Sequence, residues 1–153
     1  MDGMRLTDIQ CALGLSQLRK PPLFLKKRAD IADKYIEKLG DAAAIIPPCR
    51  KPDRGHAWHI FVIRLRAEMF SMSRDEFFAR MCERETGVNV HYIPVHLHPY
   101  YRRRFGHAPG DFPAAEAASA AAITLPLFPA MTDNQVCYVA EAVRDLAQET
   151  SRL

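Results

Sequence analysis

AWHIFVIRLR, residues 57–66, carries the strongest strand signal in this chain. Successive side chains of a strand point to opposite faces, and here both alternating sets are largely apolar. One set is Trp58, Ile60, Val62 and Arg64, and the other is His59, Phe61, Ile63 and Leu65. Because neither face is polar, we predict that this segment is the central strand of a sheet.

Two helices are predicted before this strand. In RLTDIQCALGLSQLRK, Thr7 and Gln10 have the spacing of a capping box at a helix start. Pro21 and Pro22 then break or restart the helix, because proline lacks the amide N–H and clashes with the preceding turn. A second amphipathic stretch runs from there to residue 41.

Strand and helix signals alternate through the rest of the chain. Short strands are predicted in AAAIIPP (42–48), VNVHYI (88–93) and ITLPLF (123–128). Helices are predicted from Ser73 to Gly87, where Ser73 and Glu76 have the spacing of a capping box, over 111–122, and over 131–149 with Thr132 as the cap. This order predicts an α+β fold in which a small, mostly antiparallel sheet is flanked by helices.

Composition excludes several classes of protein. The 153 residues suffice for one compact domain, and the formal net charge of +3 is too small to indicate nucleic-acid binding. The four cysteines form no C-x-x-C pair, so free thiols in a reducing compartment are expected rather than disulfides or a zinc site. No apolar run is long enough for a membrane span and no signal peptide opens the chain, so a cytoplasmic location is expected.

The densest group of functional side chains is HYIPVHLHPYYRRRFG, residues 91–106. His91, His96 and His98 are candidate metal ligands, but nearby prolines disturb the strand geometry and no acidic residue follows closely to orient the rings. The arginines at 102–104 beside these histidines suit a phosphate or diphosphate equally well. A solvated positive face with hydrogen-bonded histidines is the third interpretation. No nucleophile motif is present, and the six lysines lie where solvated charges are expected.

Three segments resemble one family. They are RLTDIQCALGLSQL, HAWHIFVIRL, and the block that runs from GVNVHYIPVHLHPYYRRRFG to ITLPLFPAMTDNQVCYVAEAV. In order and spacing they resemble the DegT/DnrJ/StrS sugar aminotransferases. The resemblance implies the small C-terminal domain of fold-type I pyridoxal-phosphate transferases over residues 41–153, preceded by long linking helices over residues 1–40. Family members are homodimers whose large N-terminal domain carries the lysine that binds the cofactor. This chain is expected to begin after that lysine, so it should hold no cofactor and catalyse nothing alone.

The resemblance also implies which residues face the substrate. Arg5 matches an arginine that reaches the partner subunit's active site, and Gly3 replaces an asparagine that contacts the cofactor phosphate. His91 and Tyr92 match a histidine–aromatic pair at the sugar-nucleotide site, and His96 matches the second histidine of that motif. No catalytic residue, cofactor ligand or metal ligand is expected within the chain.

Two functions follow from this resemblance. The first is the C-terminal part of an aminotransferase that moves an amino group, from glutamate, to a UDP-4-keto-6-deoxy-hexosamine in cell-surface glycan biosynthesis. The second is a stand-alone module that binds a sugar nucleotide or an intact aminotransferase. In both, the apolar stripe Ile9, Leu13 and Leu18 is expected to contact a second copy of the chain or a separate large-domain polypeptide. Neither nucleic acid nor a membrane is an expected partner.

Overall fold

The computed structural model describes residues 6–150, which form helices around a three-stranded sheet. The helices are α1 (Asp8–Leu18), α2 (Pro21–Leu39), α3 (Arg74–Glu83), α4 (Pro99–Phe105), α5 (Pro113–Ala121) and α6 (Asp133–Thr150). The strands are β1 (Ile45–Ile46), β2 (Phe61–Leu65) and β3 (Ala122–Leu125). Two 3₁₀ turns, Ala67–Met69 and Val95–Leu97, complete the described elements.

The sheet has the order β1-β2-β3, and both strand pairs are antiparallel. The predicted α+β fold is therefore confirmed, and β2 is the central strand as its two apolar faces indicated. Phe61 and Ile63 are fully buried on the face that meets the helices. On the other face Val62 is half-buried and Arg64 is exposed, so this face is only partly covered.

The hydrophobic core lies between the sheet and three helices. α6 packs against both α2 and α3, and α3 also contacts β3. Twelve large side chains in this core are less than 2% exposed: Trp58, Tyr35, Phe61, Phe77, Leu39, Ile63, Met81, Ile123, Leu125, Leu146, Val136 and Val143. Arg28 ties α2 to the sheet's neighbouring loops, because its Nη1 donates to the carbonyls of Trp58, His59 and Leu127 at 2.9–3.1 Å.

Local capping follows the sequence at the start of α1, where Thr7 and Gln10 form the predicted box. In α3 only half of the box forms: Ser73 Oγ accepts from the amide of residue 76, while the Glu76 carboxylate pairs with Arg80 at 2.9 Å. The predicted end at Gly87 is wrong. α3 ends at Glu83, because Glu85 adopts the left-handed conformation (φ 55°) and closes the turn.

Proline and glycine set the limits of α2. Pro21 and Pro22 occupy its first turn, where the missing amide hydrogens are not needed. Gly40 follows the last helical residue, and a Cβ at that position would lie 2.8 Å from the carbonyl oxygen of Ile36. Only glycine therefore fits there without a shift of the backbone.

The strand predicted over residues 88–93 is wrong. This segment forms a single bridge to the sheet, in which Asn89 and Thr124 exchange two backbone hydrogen bonds of 3.0 and 2.7 Å. The amide of Val90 donates to the Asn89 side chain at 2.7 Å instead of to a neighbouring strand. Pro94 has no amide hydrogen to continue the ladder, so the alternating pattern is not used for strand pairing.

Candidate functional site

The bridge at Asn89 brings His91 beside the edge of the sheet. His91 Nδ1 lies 2.9 Å from the hydroxyl oxygen of Thr124, a β3 residue that is only 5% exposed. The ring of His91 meets the ring of Tyr92 edge to face, with 4.6 Å between centroids, across a cis peptide bond. The carbonyl of Tyr92 accepts from Ser119 Oγ on α5 at 3.0 Å. These contacts attach the 91–92 pair to both the sheet and a helix.

A cavity of about 450 Å³ opens over the partly covered face of the sheet. Strand β2, the 91–95 segment and α5 surround it, and its lining residues are Val62, Arg64, His91, Tyr92, Ile93, Pro94, Val95, Ala115, Ala118, Ser119 and Ala122. The lining contains no carboxylate. Tyr92 is 70% exposed at this cavity, which leaves its ring free to contact a ligand. The structure therefore brings together two of the predicted substrate-binding residues, His91 and Tyr92.

Arg64 also lines this cavity, although it is not among the substrate-binding residues predicted from the sequence. It is the only charged residue within β2, and its side chain is exposed on the face opposite the core. Strand alternation had already placed it opposite Phe61 and Ile63, so the sequence contained a signal. Nothing in the local pattern indicated, however, that His91 would lie over the same face.

His96 lies on the other side of Pro94 and Val95, in a different cavity of about 420 Å³. It is 7% exposed, and its Nε2 lies 2.9 Å from Glu116 Oε1. The expectation that no acidic residue orients these histidines is therefore wrong, because α5 brings a carboxylate from twenty residues downstream. Sequence proximity could not reveal this pair.

Glu116 also holds the loop before its own helix. Its carboxylate accepts from the amide of Gly110 at 2.8 and 3.0 Å and, at 3.4 Å, from that of Phe112. The bond to His96 and then the amide of Gly110 hold the pKa of Glu116 below its ordinary value. The contact between His96 Nε2 and Glu116 therefore joins the turn Val95–Leu97 to α5.

The arginines at 102–104 lie on α4, a helix that the sequence argument did not predict. Gly106, with φ 74°, ends α4 in the left-handed conformation that favours glycine. Arg102 and Arg103 line a third cavity of about 370 Å³ with Pro99 and His107, apart from the cavity over the sheet. His107 itself lies 3.1 Å from Asp111.

The three candidate metal ligands do not lie in one site, since His91 and His96 line different cavities. His98 is exposed at the start of α4, and within residues 6–150 no group of three histidine, cysteine or acidic side chains is placed to hold a metal ion. The predictions for Arg5 and Gly3 lie outside the described residues. Among the described helices, none is long and apolar enough to cross a bilayer.

The cofactor that the resemblance implies finds no covalent anchor here. Pyridoxal phosphate needs a lysine that is desolvated or surrounded by positive charge. All six lysines are exposed or half-buried, and Lys34 is paired with Asp133 across two helices. Within residues 6–150, therefore, no lysine has the environment that binding of this cofactor requires.

An apolar surface remains uncovered at the start of the chain. No residue of α1 is buried, and Ile9, Leu13 and Leu18 are 82%, 60% and 71% exposed. Exposed apolar surface on this scale is typical of an interaction surface.

Comparison with known proteins gives one consistent answer. The chain is 38% identical over 146 residues to the spore coat polysaccharide biosynthesis protein SpsC of Bacillus subtilis, covering 95% of this chain and 38% of SpsC. It superimposes with a TM-score of 0.83 and 29% identity on DesV of S. venezuelae, solved with a ketimine intermediate, covering 94% of this chain and 37% of DesV. The putative sugar aminotransferase Spr1654 of Streptococcus pneumoniae, in its form with pyridoxal phosphate, gives 0.83 and 28%, with coverages of 95% and 36%.

The match covers nearly all of this chain but only part of each relative. The chain spans 37–38% of the length of the curated relatives that it matches. The model of the DegT/DnrJ/EryC1/StrS aminotransferase family matches residues 2–144, which is nearly the whole chain. Since the fold of the described residues agrees with that of the matched aminotransferases, this chain belongs to the DegT/DnrJ/EryC1/StrS aminotransferase family.

Proposed function

We propose that this chain forms the sugar-nucleotide wall of an aminotransferase. In this proposal residues 41–153 are the small domain and residues 1–40 link it to a cofactor domain. The reaction is the transfer of an amino group, from glutamate, to a UDP-4-keto-6-deoxy-hexosamine for a cell-surface polysaccharide. The observation that supports it is the open cavity at which His91, Tyr92 and Ser119 converge over the sheet.

The cavity has the chemistry of one side of a ligand cleft. Binding sites for small molecules are mostly apolar, measure about 300–1,000 Å³ and contain a few oriented polar groups. Here the 450 Å³ cavity is lined largely by aliphatic side chains, with His91 positioned by Thr124. Because it is open on one side, a ligand bound only to this chain would keep much of its surface in water.

The remaining side of the cleft needs a second protein surface. None of the six lysines is buried, so the lysine that binds the cofactor must come from elsewhere. The exposed stripe Ile9, Leu13 and Leu18 supports contact with that surface, either in a large domain or in a second copy of the chain. We therefore expect the chain alone to bind a sugar nucleotide weakly and to transfer no amino group.

Titration of the chain with UDP-N-acetylglucosamine, followed by NMR, tests the wall directly. Shifts should concentrate at His91 and Tyr92, with a dissociation constant in the millimolar range. His91→Ala should abolish the shift at Tyr92, and Tyr92→Phe should weaken the shift at His91. The control Tyr138→Phe should change neither, because Tyr138 is also exposed but lies in a different cavity. Micromolar binding by the chain alone would instead favour the stand-alone module.

A hybrid enzyme tests the assignment to an aminotransferase. This chain would replace the matched segment of Spr1654, and the absorbance of bound pyridoxal phosphate and both half-reactions would be recorded. We expect the hybrid to react with glutamate and with the sugar nucleotide, and the His91→Ala hybrid to lose mainly the second reaction. Equal loss of both would contradict a role for this wall in sugar binding.

A further inference from the structure

Arg64 occupies an unusual position for an arginine. It lies on the central strand, opposite Ala122 of β3 and Ile46 of β1, where β-branched and aromatic residues are ordinarily favoured. Its side chain emerges on the half-covered face and lines the cavity of about 450 Å³. Packing against the core therefore does not explain the presence of an arginine.

Ion pairing does not explain it either. Six arginines of the described chain pair with carboxylates: Arg50, Arg54, Arg74, Arg80, Arg84 and Arg144. Arg64 has no such partner within residues 6–150, and the lining of its cavity contains no aspartate or glutamate. Glu116, on the adjoining helix, is engaged by His96 and Gly110. The guanidinium thus faces the cavity without a compensating negative charge.

Two polar side chains lie beside Arg64 in the lining of the same cavity. His91 is held at Nδ1 by Thr124, and the Ser119 hydroxyl is held by the carbonyl of Tyr92. A guanidinium matches phosphate oxygens with two parallel N–H bonds, which a solvated lysine cannot reproduce. Arg102 and Arg103, which the sequence made the obvious anion ligands, line a separate cavity on a seven-residue helix. They do not line the cavity that contains His91.

We propose that Arg64 binds the diphosphate of the nucleotide sugar and so makes this cavity selective for a nucleoside diphosphate over an uncharged nucleoside. This inference rests on the proposed function, because it assigns one ligand group to the same cavity. It adds a binding residue on β2 to a site for which the sequence nominated Arg5, His91, Tyr92 and His96. The backbone of Arg64 is paired with both neighbouring strands of the sheet.

Three ligands and three variants test the proposal. UDP, inorganic pyrophosphate and uridine would be titrated into the wild-type chain and into the variants Arg64→Gln, Arg64→Lys and Arg66→Gln. Arg66 is the matched control, since it is also exposed, lies two residues further along and does not line the cavity. Urea midpoints of all variants would show that each is folded.

Arg64→Gln should weaken UDP and pyrophosphate binding about tenfold to a hundredfold, the loss expected for a charged hydrogen-bond donor, and leave uridine binding unchanged. Arg64→Lys should recover part of the loss, and Arg66→Gln should bind like the wild type. Unchanged UDP binding in Arg64→Gln would overturn the inference while the proposed function stands. Equal loss of UDP and uridine would also overturn it, by showing general damage to the cavity. A wild-type chain that binds neither anion would refute the inference and count against the proposed function too.

Discussion

Replacement of Thr124 by valine should remove the hydrogen bond that positions the His91 ring without creating a cavity beside the sheet. Thr124 is 5% exposed, and its hydroxyl oxygen lies 2.9 Å from His91 Nδ1. Valine has nearly the same shape, so the main change is the loss of one hydrogen bond. The backbone bonds of Thr124 to Asn89 do not involve the hydroxyl and should remain.

The expected loss of stability is small. A neutral hydrogen bond contributes about 0.5–1.5 kcal/mol net. Because His91 is only half-buried, water can replace the lost partner, so the cost should stay near the lower end, about 0.5–1 kcal/mol. For a chain of this size that corresponds to a fall in Tm of about 1–4 °C.

The informative measurement is the ¹⁵N chemical shift of the His91 ring, assigned with His91→Ala. In Thr124→Val the two ring nitrogens should move toward the values of a free imidazole, and UDP binding should weaken several-fold. Thr86→Val is the matched control, because Thr86 is also buried and its hydroxyl also takes part in a hydrogen bond, which it donates to Met81 O. It should lower stability comparably without changing the His91 ring.

An unchanged His91 spectrum in Thr124→Val would refute this reasoning. It would mean that the hydroxyl does not position the ring. Equal changes in both threonine variants would refute it as well, because the effect would then follow from lost stability alone.

Three further predictions concern the fold. Gly40→Ala should destabilise the chain, because the added Cβ would lie 2.8 Å from a backbone oxygen. Gly14→Ala should instead stabilise α1 by about 0.5–1 kcal/mol, because nothing lies within 4 Å of the added Cβ. Urea unfolding measures both, and a change of stability in the same direction for the two variants would contradict this. The pKa of Glu116 in the folded chain lies below its ordinary value of 4.5, so this carboxylate stabilises the fold above the unfolded pKa and stops doing so as the pH falls through the folded pKa. The unfolding free energy of Glu116→Gln should therefore vary less with pH below about 4.5 than that of the wild type. An unaltered pH dependence would oppose the assigned bond to His96. Tyr35 is fully buried, and its hydroxyl donates to the carbonyl of Pro126 at 3.0 Å. Tyr35→Phe should therefore lower the free energy of unfolding by about 0.5–1.5 kcal/mol. Thermal unfolding measures this loss, and an unchanged Tm would contradict the prediction.

Local signals in the sequence predicted much of the fold. Both apolar faces of residues 57–66 indicated the central strand, and the predicted caps Thr7 and Thr132 precede α1 and α6. These features depend on residues a few positions apart. The prediction failed at residues 88–93, where the amide of Val90 donates to the Asn89 side chain and pairing with β3 does not extend beyond Asn89. A period of two describes a segment's side chains and does not supply its hydrogen-bond partners.

The candidate site divides in the same way. The sequence by itself determined the family, through motifs whose order and spacing extend along the chain, and it nominated His91 and Tyr92. Only the tertiary structure shows that Arg64 lines the cavity of His91 and Tyr92, and that Arg102 and Arg103 line a different cavity. It also paired His96 with Glu116, twenty residues away. Such contacts arise when the sheet and helices pack, because burial of the core fixes which surfaces face each other, and no local pattern encodes that geometry.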